Sequence, residues 1–458
     1  MNFKVVLVNE INKNFFDLFN NKDEINELIN LNSFTPEKNK FLKISKNLTK
    51  DNENILLVGT NSCESTFDWV SIGASLGKSL KYDASLNFVD MTSNSNLESL
   101  EFGFYLSQYQ FDKFKSEKDD KNILSIEQTQ FTQEIKDKID AIFWTRDMVN
   151  TPALTKSPEF FEDNVKKLIE ETDIKLTSYD HVWLSENNFG GILGVGSGSF
   201  RKPKFLIGEY NQKAKFQISI IGKGVLFDSG GLSLKSPAGM ETMKTDMAGA
   251  ATAWGIITLV AKQKLDIGLK VYTPLVENMP SGSAIRPGDV LTMRNNKTIE
   301  VLNTDAEGRL IMADALAYAS EFKPDVICDV ATLTGASYVA LGVDIGAIFS
   351  NDKALEESFM ESNELSHELY HVLPLEQSYK KLIKSDIADM QNTGGRFGGA
   401  ITAALLLEEF VEGIPWIHLD MAGPARSRNN DVITPSGGTG FGVVGFYNFI
   451  KSKATDLQ

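Results

Sequence analysis

The segment Asn303-Thr304-Asp305-Ala306-Glu307-Gly308-Arg309-Leu310 sets two carboxylates two positions apart, after a strand-like run and before a helical one. Residues two apart in an extended stretch share a face, so Asp305 and Glu307 are expected to converge on one metal ion. Gly308 permits a sharp turn, and Arg309 then sits at a helix N-terminus. Helix dipole, free N–H groups and guanidinium together make an anion site there. A second cluster, Gly222-Lys223-Gly224-Val225-Leu226-Phe227-Asp228-Ser229-Gly230-Gly231, leaves a strand for a glycine-rich loop and is followed by Lys235 and Asp246. Carboxylate oxygens bind hard or borderline divalent ions and can bridge two of them. A lysine can join such a set only as a neutral amine, a state that a nearby cation enforces. Asp305 or Asp228 taken alone reads more readily as a solvated loop carboxylate. Four acids and two lysines beside glycine turns and helix starts argue for a site.

Other strings fail on spacing or context. Gly73-Ala74-Ser75-Leu76-Gly77-Lys78-Ser79 lacks the phosphate-loop spacing, because Ile72 holds the position where the first glycine belongs. Gly190–Gly198 matches neither a dinucleotide fingerprint nor a nucleophile elbow and reads as a plain glycine-dense loop. His367-Glu368-Leu369-Tyr370-His371 has the zincin pattern, but Pro374 would break the helix almost at once and no third ligand follows.

Taken together, the sequence closely resembles the leucyl aminopeptidase (cytosol aminopeptidase) family. The resemblance is carried by N-T-D-A-E-G-R-L at 303–310 and G-K-G-x-x-F-D-S-G-G at 222–231. It continues through Lys235, Met243-Lys244, Asp246, Glu277-Asn278-Met279-Pro280, Arg286-Pro287-Gly288-Asp289, Ala331-Thr332-Leu333-Thr334-Gly335-Ala336, Gly394-Gly395-Arg396 and His418-Leu419-Asp420. It spans nearly all of residues 145 to 450; the N-terminal part matches only in pattern. The resemblance implies a metal-dependent release of N-terminal residues, apolar and leucine-like, from peptides. Two divalent ions, manganese or zinc, would be bridged by Asp228 and Glu307, with Asp305 completing one site and Lys223 and Asp246 the other. Water bridging two cations loses its proton readily and becomes the nucleophile. Lys235 would stabilise the oxyanion, and Arg309 would hold a bicarbonate as general base, since arginine cannot itself take a proton. The backbone of Leu333 would orient the peptide, while Met243, Thr332 and Gly335 line the pocket for its first side chain. The resemblance further implies a homohexamer. Two other readings are a DNA-binding role, found in some members of this family, and an inactive scaffold, which would normally have lost a ligand or Lys235.

The elements that must position these groups follow from periodicity. Val5–Val8, Ile55–Val58 and Leu86–Val89 read as short strands and Phe67–Leu80 as a helix, a small α/β pattern. A helix from Gln133 to about Val149 then leads to Ser157-Pro158-Glu159, an N-cap with proline at the first helical position. Beyond it, strands at Phe216–Ile221, Leu269–Val276, Ile299–Leu302, Val326–Val330 and Trp416–Asp420 alternate with helices at Ala248–Ala261, Arg309–Phe322 and Gly399–Val411. Such alternation implies a mostly parallel or mixed sheet covered on both faces. The expected architecture is therefore α/β, with an N-terminal domain over 1–135, a connecting helix and linker over 136–156, and a larger catalytic domain over 157–458.

The bulk properties agree with a large enzyme. Of 458 residues, 42% are hydrophobic, enough for substantial cores, and the formal net charge of −15 argues against general nucleic-acid binding. Cys63 and Cys328 lie far apart, so a reducing cytoplasm is the natural setting. Met1–Val8 reads as a first strand rather than a signal peptide, and no run reaches the ~18 apolar residues of a membrane span.

Overall fold

The computed structural model describes residues 2–80, 83–90, 96–118, 124–126, 132–364 and 366–456. They form two compact units, one built from Met1–Ile139 with Leu365–His367 and Asn429–Pro435, the other from Asp140–Glu364, Glu368–Arg428 and Ser436–Gln458. The helix Thr132–Asn150 passes from the first unit to the second. Among the described residues no helix is long and apolar enough to cross a membrane.

The smaller unit is an α/β layer structure around a five-stranded sheet. The strand Asn2–Val8 is flanked in parallel by Ile55–Gly59 and Ala84–Asp90; Phe41–Ile44 closes one edge antiparallel and Leu124–Ile126 the other in parallel. Alternation along the central strand sends Val5 and Leu7 into one apolar cluster and Val6 and Val8 into another, so both faces are covered. The helix Thr66–Ser79 opens with a capping box between Ser65 and Asp68. It lies so close to the helix Leu97–Leu106 that a Cβ on Gly73 would meet the Leu100 carbonyl at 1.9 Å, and one on Gly103 the Val70 carbonyl at 2.0 Å. The glycines that imitate a phosphate loop are thus helix-packing residues.

The larger unit is built on a nine-stranded mixed sheet. Trp416–Asp420, Val326–Ala331, Gln217–Gly222 and Gly268–Asn278 run parallel at its centre, with Gly224–Asp228 beside the last. Ile345–Ser350 joins antiparallel on one side and Lys204–Tyr210 on the other. Ala248–Lys262, apolar nearly all round, is buried along almost its whole length, as a helix without a polar face must be. The helices Gly308–Ser320 and Gly399–Glu408 bury Leu310, Met312, Leu316, Leu405 and Leu407 in the core that also holds Trp416.

Two local expectations change. Gly190–Gly196 is a helix, not a loop, and the remote carboxylate of Asp314 accepts from the backbone N–H of Ile192 at 2.9 Å. Glycine carries no periodicity, and the acid that caps this helix is distant in sequence. The His367–His371 string is not helical either, because Leu369–Val372 is a strand. Glu368 within it is buried and accepts from the backbone N–H groups of Gly442 and Gly445 at 2.8 Å each. These bonds serve the start of the helix Val443–Asp456, so the string is structural.

Candidate metal centre

The carboxyl ends of the central strands deliver most of the chemistry, as they do in open α/β sheets generally. Lys223 follows Gln217–Gly222, Asp228 ends its own strand, Asn278 ends Gly268–Asn278, and Thr332 and Leu333 follow Val326–Ala331. Asp305 and Glu307 come from the turn before the helix Gly308–Ser320. They converge, but not as neighbours on an extended face: Glu307 already has helical backbone angles of φ −82° and ψ −33°. Ligand atoms of Asp228, Asp305 and Glu307 all lie within 4.8 Å of one another. Gly308 is required by contact as well as by turning, since a Cβ there would sit 2.4 Å from Cε of Lys223.

Lysines hold this acidic cluster together. Nζ of Lys223 lies 2.8 Å from Asp246 Oδ1 and 3.0 Å from Glu307 Oε1, and also donates to the Thr332 carbonyl at 2.9 Å. Nζ of Lys235 lies 2.8 Å from Asp228 Oδ2 and 2.5 Å from Asp305 Oδ1. Burial opposes the Lys223 charge, yet Asp246, Glu307 and Asp228 outweigh it and hold its pKa above the ordinary lysine value. Lys235 is raised in the same way, its burial outweighed first by Asp228 and then by Asp305. Burial raises Asp246 well above the usual carboxylate range, and Glu307 and Asp228 add to it against Lys223. Asp228 and Asp305 are raised too, chiefly by burial.

Four carboxylates against two ammonium groups leave an excess of buried negative charge. Asp246 Oδ2 and Glu307 Oε2 are buried with no hydrogen-bond partner among the described residues. Unpaired carboxylate oxygens in the interior are costly unless a cation meets them. The donor set therefore fits divalent metal.

All the residues expected to ligate metal, act in catalysis or line the substrate pocket, Arg309 excepted, line one cleft of about 350 Å³. Met243, Thr332, Leu333 and Gly335 lie there with the acids and lysines. The Thr332 hydroxyl donates to Asp246 Oδ1 at 2.8 Å, and the Leu333 N–H donates to Asp420 Oδ1 at 3.1 Å. The N–H of Leu333 is thus committed to Asp420. Arg309 is buried, its Nη1 donates to the Asn392 carbonyl at 2.8 Å, and its Nε has no partner among the described residues. Burial pushes its pKa down to about 10, against Glu307 and Asp420.

Three positioning residues escaped the sequence reading. Asn278 Nδ2 donates to Asp228 Oδ1 at 2.8 Å and to the Thr304 carbonyl at 3.0 Å, tying the two acid-bearing loops together. Asn392, fully buried, accepts from the N–H groups of Leu302 and Asn303 and donates to the carbonyls of Asn303 and Ala306. Its amide saturates the loop that carries Asp305; each such backbone group left bare would cost about 1–3 kcal/mol. Lys156, also fully buried, donates to the carbonyls of Met148 at 2.8 Å and Lys244 at 2.7 Å. It joins the C-terminal turn of Thr132–Asn150, where the helix dipole favours a cation, to the turn bearing Met243 and Asp246. Asn278 stands in a segment noted in the sequence, so its signal was present. Asn392 and Lys156 bond to backbone atoms of distant segments and leave no local signal.

A family model described as the cytosol aminopeptidase family, catalytic domain, matches residues 143–447. A probable cytosol aminopeptidase of Syntrophotalea carbinolica is 48% identical over 300 residues, which covers 65% of this chain and 60% of that relative. The alignment thus spans less than two thirds of the relative's length. Two solved structures are similar along nearly the whole chain. One is the bottromycin maturation enzyme BotP in complex with Mn, with a TM-score of 0.88 at 28% identity over 99% of both chains. The other is the cytosol aminopeptidase of Coxiella burnetii, with a TM-score of 0.88 at 30% identity over 99% of this chain and 97% of that one.

Proposed function

Because the chain belongs to the cytosol aminopeptidase family, we propose that it is a metal-dependent aminopeptidase releasing single residues from the N-termini of peptides. The observation that carries this reading is the buried excess of carboxylate, with unpaired oxygens on Asp246 and Glu307. Asp228 and Glu307 would be shared by two divalent ions, manganese or zinc, with Asp305 on one and Lys223 and Asp246 on the other. When bound, such ions supply an acidified water and polarise the scissile carbonyl.

The remaining roles fall to the chain itself. Lys235, charged because its neighbouring carboxylates hold its pKa up, faces the oxygen on which negative charge develops. The bare Nε of Arg309 suits a bound bicarbonate, and that anion supplies the general base an arginine cannot be. The Leu333 carbonyl orients the peptide, and Met243 offers a wall for the apolar, leucine-like first residue that the resemblance implies. A cytoplasmic setting is proposed with it, as is a homohexamer. A sedimentation mass near the 50.7 kDa of one chain would overturn the oligomer.

End-specificity tests the central reading. A peptide with a free N-terminus is expected to lose its first residue, while its N-acetylated copy resists. Acetylation removes the amine lone pair and adds bulk where the cleft must close on the terminus. Cleavage should strengthen as the α-amino group deprotonates, around its reference pKa of roughly 7.7–8.0. A mass-spectrometric time course on matched peptides reads both effects. Equal cleavage of the two, or internal cleavage first, would show an endopeptidase.

A further inference from the structure

The cleft holds cations that the metal chemistry does not use. Arg426 and Arg428 both line it, together with Met243, Gly335 and Tyr338. The side chain of Arg426 is partly buried, and among the described residues it makes no hydrogen bond and no ion pair. Burial, and then Arg428, lower its pKa against the pull of Glu241, which is exposed and beyond ion-pair distance. The neighbouring cation Lys244 is committed elsewhere, its Nζ donating to the Asn150 carbonyl at 2.7 Å. The Arg428 guanidinium lies 5.8 Å over the ring of Tyr338, three residues along the helix from Gly335. Two guanidinium groups therefore line one cleft, Arg426 partly buried and Arg428 exposed, and among the described residues neither forms an ion pair with a carboxylate.

A partly buried arginine side chain without a protein partner is poised for a planar anion, which it binds through two parallel N–H groups. Arg426 feels the charges of Glu241 and Lys244, which flank Met243, and Arg428 sits on the helix that Gly335 begins. Both cations thus flank the residues expected around the first side chain. Ala422, Gly423 and Ala425 line the same cleft and leave room beside Arg426.

We propose that Arg426, supported by Arg428, reads a carboxylate on the first side chain of the peptide, so that N-terminal glutamate and aspartate are preferred over their neutral amide isosteres. The inference rests on the aminopeptidase reading and deepens it. It replaces a purely apolar pocket by one with a cationic wall.

The test compares glutamyl-glycinamide with glutaminyl-glycinamide on the manganese-loaded protein, with leucyl-glycinamide run alongside. The two glutamic-acid derivatives differ only by the charge, and a charged hydrogen bond predicts kcat/KM about ten- to a hundredfold higher for glutamyl. Arg426→Met should bring that ratio close to one, with the loss appearing in KM. A wild-type ratio at or below one overturns the inference without need of any variant, as does a ratio that survives the substitution. Leucyl-glycine with a free carboxyl end separates the other source of a carboxylate. If Arg426→Met weakens only that substrate, the arginine reads the chain end and the placement is wrong. Cleavage of leucyl-glycinamide without a glutamyl preference removes this inference alone; cleavage of none of the substrates removes the aminopeptidase reading with it.

Discussion

Exhaustive chelation is expected to abolish peptide hydrolysis, and manganese or zinc is expected to restore it. The reversibility follows from the two lysines. Without metal, Lys223 stands between Asp246 and Glu307, and Lys235 between Asp228 and Asp305, so the buried acids keep partial counter-charge and the cleft keeps its shape. Full activity after prolonged dialysis against chelator would end the metal reading. Glu307→Ala should not be rescued by added metal, because it removes a carboxylate placed within reach of both Lys223 and the Asp228–Asp305 pair. The fall should exceed the roughly 10- to 100-fold that loss of an outer hydrogen-bond partner brings to a metal site. Metal content by elemental analysis, set beside turnover, checks both statements. Turnover within a few-fold of the parent would rule out Glu307 as a ligand.

Lys235→Ala should separate binding from chemistry. Its ammonium touches two of the acids, so its loss frees Asp228 and Asp305 for metal rather than depriving them of it. Metal content should hold while kcat drops by about 10²–10³-fold, the usual effect of removing one group that stabilises an oxyanion. KM should change little, since the interaction belongs to the transition state. Lost metal with turnover lost in proportion would instead make Lys235 a structural counter-ion only.

The acid-rich motifs were readable because chain geometry makes them local. Asp305, Glu307 and Arg309 lie within five residues, and Lys223 and Asp228 within six, beside glycines that announce turns. Strands such as Trp416–Asp420 and helices such as Ala248–Lys262 were readable for the same reason, each being a continuous pattern over one segment. What stayed hidden is non-local. Asp314 caps a glycine-rich helix far upstream, and Asn392 saturates a loop some ninety positions before it. An asparagine or lysine bonded to distant peptide groups looks, in sequence, like any other polar residue. The cationic wall escaped for another reason. Arg426 lies outside every motif noted in the sequence, and only the fold brings it into one cleft with Met243.

Lys156 holds the turn at 243–246 by a peptide carbonyl, and a peptide carbonyl is the same whichever side chain accompanies it. The latch is therefore blind to the identity of Met243, although it fixes where that residue stands. Asn392 grips the acid-bearing loop in the same blind fashion. A substitution at Met243 therefore leaves both grips in place, whereas one at Thr332 removes a hydroxyl that bonds Asp246 directly.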